Sequence, residues 1–309
     1  MTAMAAPRRV GLQRRARSLG GLAAVLLLLA SLQGCAWLEA KQRMLALRPT
    51  AGRPADFAGL GPNDMRFSMP VASNPGRDTQ VALWWLPHRD RAAPTLLYLH
   101  GTFRNLYKNL PKIEALREAG FSIVAVDYRG WGDSSRIVPS EATIAADARV
   151  AWTVVARLQP DPGKRVIYGH SLGGAVAVDL ASRLHYGVDY AALVLESTFT
   201  SLPDVAAAAG FWGRLGAALT TLEFDSRAKI ARVDAPLLMM HGTADRTVPV
   251  ELGRRLRDAA PPGVRWIEVP GGSHSTLHAE APDLYRRAIP DLLRPPVASP
   301  SATKPPPGR

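Results

Sequence analysis

Short apolar runs alternate with helical stretches along most of this chain, and this alternation constrains the fold more than any other feature. Strands of this kind are buried on both faces and pair mostly in parallel, with the connecting helices on either side. The sequence therefore predicts an α/β fold with a mostly parallel, doubly wound sheet. Predicted strands cover residues 78–86, 95–99, 121–126, 165–168, 191–195, 236–240 and 264–269, and the first of them opens the sheet. Predicted helices cover residues 106–119, 141–158, 172–185, 251–260 and 282–293.

The remaining segments suggest how the chain is divided into parts. The predicted parts are a targeting signal at 1–34, a lipidated tether and lead-in at 35–77, the α/β domain at 78–293, and a disordered Pro-rich tail at 294–309. Within the domain, the stretch at about 197–235 is too long for a simple loop and carries several aromatic residues. We expect this stretch to form a small helical cap over the carboxyl ends of the strands.

The first 35 residues resemble a bacterial lipoprotein signal. Five arginines within residues 8–17 precede an uncharged apolar run at 21–30, which is the pattern of a secretory signal. The run leads into LQGC at residues 32–35, which resembles a lipobox and contains the only cysteine of the chain. The resemblance implies cleavage before Cys35, its lipidation, and a membrane-anchored protein of the cell envelope that faces the periplasm or the exterior. A plain signal peptide and an uncleaved anchor helix are the alternatives.

Composition and charge limit the classes of function. Hydrophobic residues make up 47% of the chain and charged residues 21%, which excludes a disordered or fibrous protein. The formal net charge is +12, and the arginines of residues 1–34 supply five of these charges. The remaining excess is spread along the chain, without a basic run interleaved with aromatic residues. We therefore expect no nucleic-acid partner.

Residues 169–174 have the sequence GHSLGG, which fits G-x-S-x-G between a predicted strand and a predicted helix. A sharp turn of this kind projects Ser171 beyond the carboxyl edge of the sheet. A serine hydroxyl is a poor nucleophile until a base takes its proton, and an acid must orient that base. The chain order serine, acid, histidine selects Asp245 and His274, which each follow a predicted strand.

A serine nucleophile also needs donors for the oxyanion of its transition state. The backbone N–H of Leu172, directly after the nucleophile, is the first predicted donor. The second is the N–H of Thr102, in the loop that follows the strand ending at His100. Glycine at position 101 lets the backbone approach a substrate closely.

Two other residues are alternatives for the acid and for the base. Glu196 also ends a predicted strand and is an alternative acid. His278 lies four residues after His274 and is an alternative base, and in a helix the two histidines could bind a metal. Because no third ligand and no intervening glutamate accompany them, we expect no metal. Catalysis by a serine, a histidine and an acid implies no organic cofactor either.

The chain resembles an α/β-hydrolase over residues 78–293. The resemblance is carried by residues 99–102 (LHGT), residues 127–134 (DYRGWGDS), the serine turn, the Asp245 loop with Val248-Pro249, and Gly271-Gly272-x-His274. It is most similar to the lysophospholipase-like, Bem46-type and serine-aminopeptidase-like branch. The resemblance implies a hydrolase that acts on an ester, a thioester or an amide.

Together these features predict a lipid-anchored serine hydrolase. Its expected substrates are small-molecule or lipid acyl compounds, whose carboxylic ester or thioester bonds it cleaves through an acyl-enzyme. The modest apolar cap favours acyl esters. One alternative is a peptidase or amidase of the same fold. The other is a non-catalytic envelope lipoprotein that uses the fold as a binding platform.

Overall fold

The computed structural model describes residues 33–72 and 78–294. The apolar run of the predicted signal and nearly all of the predicted tail lie outside the described residues. The chain divides into two compact units, Met1–Ala46 and Leu47–Arg309. The described part of helix α1 covers residues 33–47. Among the helices in the described part of the chain, none is long and apolar enough to cross a membrane.

Eight strands of the second unit form one sheet, in the order β1-β2-β4-β3-β5-β6-β7-β8. The strands are β1 (Met65–Val71), β2 (Thr79–Leu86), β3 (Thr95–Leu99), β4 (Ser122–Asp127), β5 (Arg165–His170), β6 (Ala192–Glu196), β7 (Leu237–Gly242) and β8 (Arg265–Val269). The pairs β1–β2 and β2–β4 are antiparallel, and every other pair is parallel. The predicted mostly parallel sheet is confirmed.

The helices of this unit connect the strands. They are α2 (Leu106–Glu118), α3 (Glu141–Leu158), α4 (Leu172–Ala181), α5 (Leu202–Ala208), α6 (Phe211–Leu219), α7 (Arg227–Ile230), α8 (Val250–Asp258), α9 (Leu277–Glu280) and α10 (Pro282–Asp291), with a 3₁₀ turn at Pro162–Lys164. Helix α3 begins with a capping box, in which the N–H of Thr143 donates to Ser140 Oγ and the N–H of Ser140 donates to Thr143 Oγ1. Its start at residue 141 follows from this local sequence.

The central strands are buried on both faces, as their continuous apolar runs predict. Helices α2 and α10 pack on one face against every second residue of these strands, such as Leu96 and Tyr98 of β3. Helices α3 and α4 pack against each other and against β3. Since all parallel strands end at the same edge, the polar residues that follow them come together there.

The prediction that residues 78–86 open the sheet is wrong. Strand β1 precedes them and pairs with β2 from Met65–Trp85 to Val71–Thr79, within the segment 35–77 that was predicted as a tether. This strand contains Pro70, and most of its residues are at least partly exposed. An edge strand tolerates both features because one of its sides has no partner strand. The same features are typical of a linker, which is why the sequence pattern misses the strand.

The predicted cap stretch forms the three short helices α5, α6 and α7. Phe199, Leu222 and Phe224 of this stretch are buried, so these apolar side chains serve packing. Phe211 and Leu215 of α6 are exposed.

The sheet's core should respond strongly to loss of side-chain volume. Leu97 is fully buried in β3, whereas Leu158 is exposed at the end of α3. Leu97→Ala is expected to lower the free energy of unfolding by about 2–5 kcal/mol, because it removes buried apolar surface and leaves a cavity. Leu158→Ala, the same chemical change, should alter it by only about 0.5 kcal/mol. Urea denaturation followed by circular dichroism measures both, and equal losses would contradict the assigned core.

Candidate active site

Ser171 occupies a strained turn between β5 and α4. Its φ of 55° and ψ of −122° lie in a region that non-glycine residues rarely adopt. Two hydrogen bonds hold the turn from β6 and the residues after it: the N–H of Ser171 donates to the carbonyl of Glu196 (2.9 Å), and Thr198 Oγ1 donates to the carbonyl of Ser171 (2.9 Å). The turn is therefore fixed by β6 as well as by its own sequence.

Close backbone packing explains the glycines around Ser171. A Cβ at Gly169 would lie 2.3 Å from the carbonyl oxygen of Gly173, and a Cβ at Gly173 would lie 2.0 Å from that of Leu99. Neither distance is possible for real atoms, and each neighbour is backbone that cannot move aside. The motif G-x-S-x-G is thus a packing requirement of this turn.

A continuous chain of hydrogen bonds joins the three side chains selected from the sequence. His274 Nε2 lies 2.9 Å from Ser171 Oγ, and His274 Nδ1 lies 2.7 Å from Asp245 Oδ2. A carboxylate only accepts hydrogen bonds, so the proton of a neutral His274 ring sits on Nδ1. Nε2 is then free to accept the hydroxyl proton of Ser171.

Asp245 is held as a charged carboxylate. Its Oδ1 accepts the N–H groups of Thr247 and Val248, both at 2.8 Å. Burial raises the pKa of this carboxyl, but the hydrogen bonds from His241, His274 and the Val248 amide outweigh burial and hold the pKa well below its usual range. Asp245 therefore presents a negative charge to His274 at neutral pH.

His170, next to the serine, contacts the backbone of His274. Its Nε2 lies 2.9 Å from the carbonyl oxygen of His274, so Nε2 carries a proton and donates it. Burial, together with the positive charge of Lys112 and that of His274 when its ring is protonated, holds the pKa of His170 well below its usual range. The ring is thus neutral, and its Nδ1 has no hydrogen-bond partner among the described residues.

The two predicted oxyanion donors lie on segments that flank Ser171. Leu172 is the first residue of α4, where a backbone N–H has no acceptor within the helix. The loop containing Thr102 passes against the serine, because a Cβ at Gly101 would lie 2.9 Å from the Cβ of Ser171. Only glycine at position 101 allows this approach.

The lead-in segment at residues 50–52 supports that loop, which sequence reasoning did not anticipate. Thr50 Oγ1 donates to the carbonyl of Phe103 (2.9 Å), and Asn105 Nδ2 donates to the carbonyls of Thr50 (3.2 Å) and Gly52 (2.9 Å). These contacts join residues more than 50 positions apart, mostly through backbone atoms. No residue pattern in the sequence signals them.

Glu196, the alternative acid, is engaged elsewhere. Its carboxylate pairs with the buried Lys112 and accepts the hydroxyl protons of Tyr168 and Tyr285. Burial raises the pKa of Glu196, but Lys112 and the two hydroxyls lower it by more, so it stays charged. The carboxylate that contacts His274 in the structure is that of Asp245. Glu196 instead supplies the backbone carbonyl that holds Ser171.

His278, the alternative base, lies in the short helix α9 beside Tyr285, with ring centroids 6.4 Å apart. The ring that contacts Ser171 Oγ is that of His274. Within the described residues, no cluster of three or more His, Cys, Asp or Glu side chains could hold a metal ion.

Comparison with known proteins identifies the family. Residues 90–222 match the family described as serine aminopeptidase, S33. The Uncharacterized protein Rv2307c of Mycobacterium tuberculosis (strain ATCC 25618 / H37Rv) is 33% identical over 269 residues, which covers 85% of this chain and 90% of that protein. This chain belongs to the serine aminopeptidase S33-like family of α/β-hydrolases.

Two further proteins share part of the sequence or the fold. The Lysophosphatidylserine lipase ABHD12 of Danio rerio is 33% identical over 195 residues, which covers 58% of this chain and 50% of that lipase. The esterase Pf2001 of Pyrococcus furiosus shares the fold, with a TM-score of 0.61 at 17% identity over 79% of this chain and 97% of the esterase. The present chain is an α/β-hydrolase enzyme.

The hydrogen bond from His170 should affect turnover by this hydrolase. His170→Ala removes the donor that holds the His274 backbone, and we expect kcat to fall about 10-fold with little change in KM. His170→Gln, whose side-chain amide can still donate, should recover part of the loss. Steady-state kinetics on an ester measures both variants. Equal losses in Ala and Gln, or a change in KM alone, would contradict a positioning role.

The buried Asp127, at the end of β4, should make stability depend on pH. Its Oδ1 accepts the N–H of Leu106 (2.9 Å), and burial raises its pKa to about 8. Between about pH 4 and pH 8 the folded carboxyl keeps a proton that the unfolded chain releases, so this group's contribution to stability falls as pH rises. Asp127→Asn keeps a side-chain oxygen that can accept the N–H of Leu106, and it removes the ionisable carboxyl.

Relative to the wild type, the free energy of unfolding of Asp127→Asn should therefore increase from pH 5 to pH 8. Urea denaturation at a series of pH values measures the difference. A difference that does not change with pH would rule out this assignment.

Proposed function

We propose that this hydrolase cleaves carboxylic ester or thioester bonds of acyl substrates through an acyl-enzyme on Ser171. The observation that carries the proposal is the chain of hydrogen bonds from Ser171 through His274 to Asp245, at 2.9 and 2.7 Å. These distances lie within the range required for proton transfer between a nucleophile and its base.

In the first step Ser171 Oγ attacks the acyl carbonyl carbon while His274 Nε2 takes the hydroxyl proton. The tetrahedral intermediate then collapses, the bond to the leaving group breaks, and His274 returns the proton to the departing oxygen or sulfur. Water attacks the acyl-enzyme in the second step and gives its proton to the same nitrogen. Asp245 stabilises the imidazolium that forms in each step and keeps the ring in one orientation.

The oxyanion of each intermediate is assigned to the amides of Leu172 and Thr102. The free N–H at the start of α4 supports the first assignment. The close passage of Gly101 against Ser171 supports the second. Each such donor contributes about 2.7–4 kcal/mol to transition-state stabilisation.

Two observations favour acyl esters over peptides as substrates. The cap stretch is short and exposes the apolar Phe211 and Leu215, which suits an apolar acyl group better than a charged amine. An aminopeptidase needs a carboxylate for the amino group of its substrate, and Asp245 and Glu196 are already paired with His274 and Lys112. A relative named as a lipase supports a lipid or small acyl substrate.

The location of the enzyme belongs to the same proposal. We infer that Cys35 is lipidated after cleavage of residues 1–34 and that the hydrolase is anchored to a membrane of the cell envelope. Cys35 is a free, exposed thiol in α1, which is the accessibility that acylation requires.

Turnover of p-nitrophenyl acyl esters tests the chemistry. Ser171→Ala should lower kcat by a factor on the order of 10⁴–10⁶, because it removes the nucleophile. Asp245→Asn should lower kcat by about 10⁴, because the ring of His274 is no longer held in the required tautomer and orientation. Ser182→Ala, a serine at the end of the same helix, serves as the matched control and should keep wild-type turnover. Matched thioesters and aminoacyl amides extend the panel.

Preferred turnover of the aminoacyl amides would favour the peptidase alternative. No turnover of any substrate by the wild type, with folding intact by circular dichroism, would favour a binding protein. Retention of activity by Ser171→Ala would contradict the proposed nucleophile.

A further inference from the structure

Helix α1 carries an exposed apolar face. Trp37, Leu38 and Leu45 are 63%, 54% and 71% exposed, and Met44 is exposed as well. In a helix, residues separated by seven or eight positions lie on one side, so Trp37 shares its side with Met44 and Leu45. This arrangement is an amphipathic helix whose large apolar side chains face away from its half-buried residues.

The charge near this face is positive. Lys41 lies on the same side as Trp37 and places its ammonium 5.6 Å from the centre of the indole ring. Residues 36–53 contain four basic residues and one acid, Glu39, which pairs with Arg43. A lysine beside an exposed tryptophan is suited to the boundary between lipid headgroups and acyl chains.

The position of α1 in the chain points to the same partner. The described part of the helix, residues 33–47, follows the apolar run at 21–30 in the chain and contains Cys35. An uncleaved apolar run and an acylated Cys35 would each bring the start of α1 to a membrane surface. Because its exposed large apolar side chains lie on one side only, the described part of the helix fits the plane of the surface.

We propose that helix α1 binds the surface of an anionic phospholipid bilayer, with Trp37, Leu38 and Leu45 inserted among the headgroups and Lys41 directed to their phosphates. The interaction requires neither acylation of Cys35 nor catalysis by Ser171. It adds a second, reversible contact to a lipid anchor, and stable attachment generally needs two such signals.

This contact has a consequence for the hydrolase unit. Residues 50–52, which begin three positions after the helix ends, hold the loop that contains Phe103 and Asn105. The N–H of Gly52 also donates to the carbonyl of Gly132 (2.7 Å). A membrane-bound α1 is therefore linked covalently, through a short segment, to the rim of the candidate active site.

Fluorescence quenching of Trp37 tests this proposal. The full chain is purified from membranes of producing bacteria and mixed with vesicles of phosphatidylglycerol and phosphatidylcholine that carry brominated acyl chains. The difference between wild type and Trp37→Phe isolates the Trp37 signal, and we expect brominated lipid to quench it and the vesicles to shield it from iodide. The Trp266 signal, isolated in the same way, should show neither effect.

Paired substitutions provide the controls. Leu38→Glu combined with Leu45→Glu should abolish most of the Trp37 quenching, because two carboxylates oppose insertion. Ala46→Glu introduces a carboxylate nine positions from Trp37, on the opposite side of the helix, and should leave the quenching in place. Ester turnover in solution should be equal in all of these variants, which separates this test from the proposed catalysis.

The alternative outcomes are distinct. A protein that sediments with vesicles while Trp37 stays unquenched would overturn the binding of α1 and leave the lipid anchor standing. A protein that does not sediment would overturn both. Equal quenching in vesicles of phosphatidylcholine alone would contradict the preference for an anionic surface.

Discussion

The strained turn at Ser171 is the constraint on which the rest of the site depends. A residue with a side chain holds a positive φ only where its surroundings leave no alternative. Here the surroundings are the carbonyl of Glu196, the hydroxyl of Thr198 and the tight packing of Gly169 and Gly173. The carbonyl and the hydroxyl come from β6 and the residues just after it, because β5 and β6 end side by side. The two glycines pack where α4 meets β5 and the end of β3. The fold thus places one hydroxyl above the sheet edge and keeps it there.

Buried charge around this turn follows a consistent pattern. Asp245 is kept negative by hydrogen bonds, and His170 is kept neutral by burial and nearby positive charge. Beneath the turn, Lys112 and Glu196 neutralise each other while two tyrosine hydroxyls complete the carboxylate's hydrogen bonds. Breaking such a buried pair is costly, because the remaining charge stays without compensation. His274, beside Ser171, therefore meets a fixed electrostatic environment.

Much of this architecture is predictable from sequence, and the exceptions have physical causes. The serine turn and the loops of Asp245 and His274 are local, so short motifs and chain order locate them. Strand β1 escapes prediction because an edge strand needs no continuous apolar run.

Other missed features depend on contacts between distant parts of the chain. Lys112 resembles any solvated lysine on a helix, and only the tertiary fold buries it against Glu196. The contacts of Thr50 with the loop at residues 101–105 join distant segments, chiefly through carbonyl groups that every residue carries.

The central claim is that Ser171, activated by His274, attacks an acyl carbonyl carbon whose oxygen is bound by the amides of Leu172 and Thr102. The most direct measurement is a crystal structure of the enzyme after inactivation by a fluorophosphonate. The account predicts phosphorus bonded to Ser171 Oγ and one phosphoryl oxygen within hydrogen-bond distance of both amides. An unmodified Ser171, or an adduct whose phosphoryl oxygens point away from both amides, would contradict it.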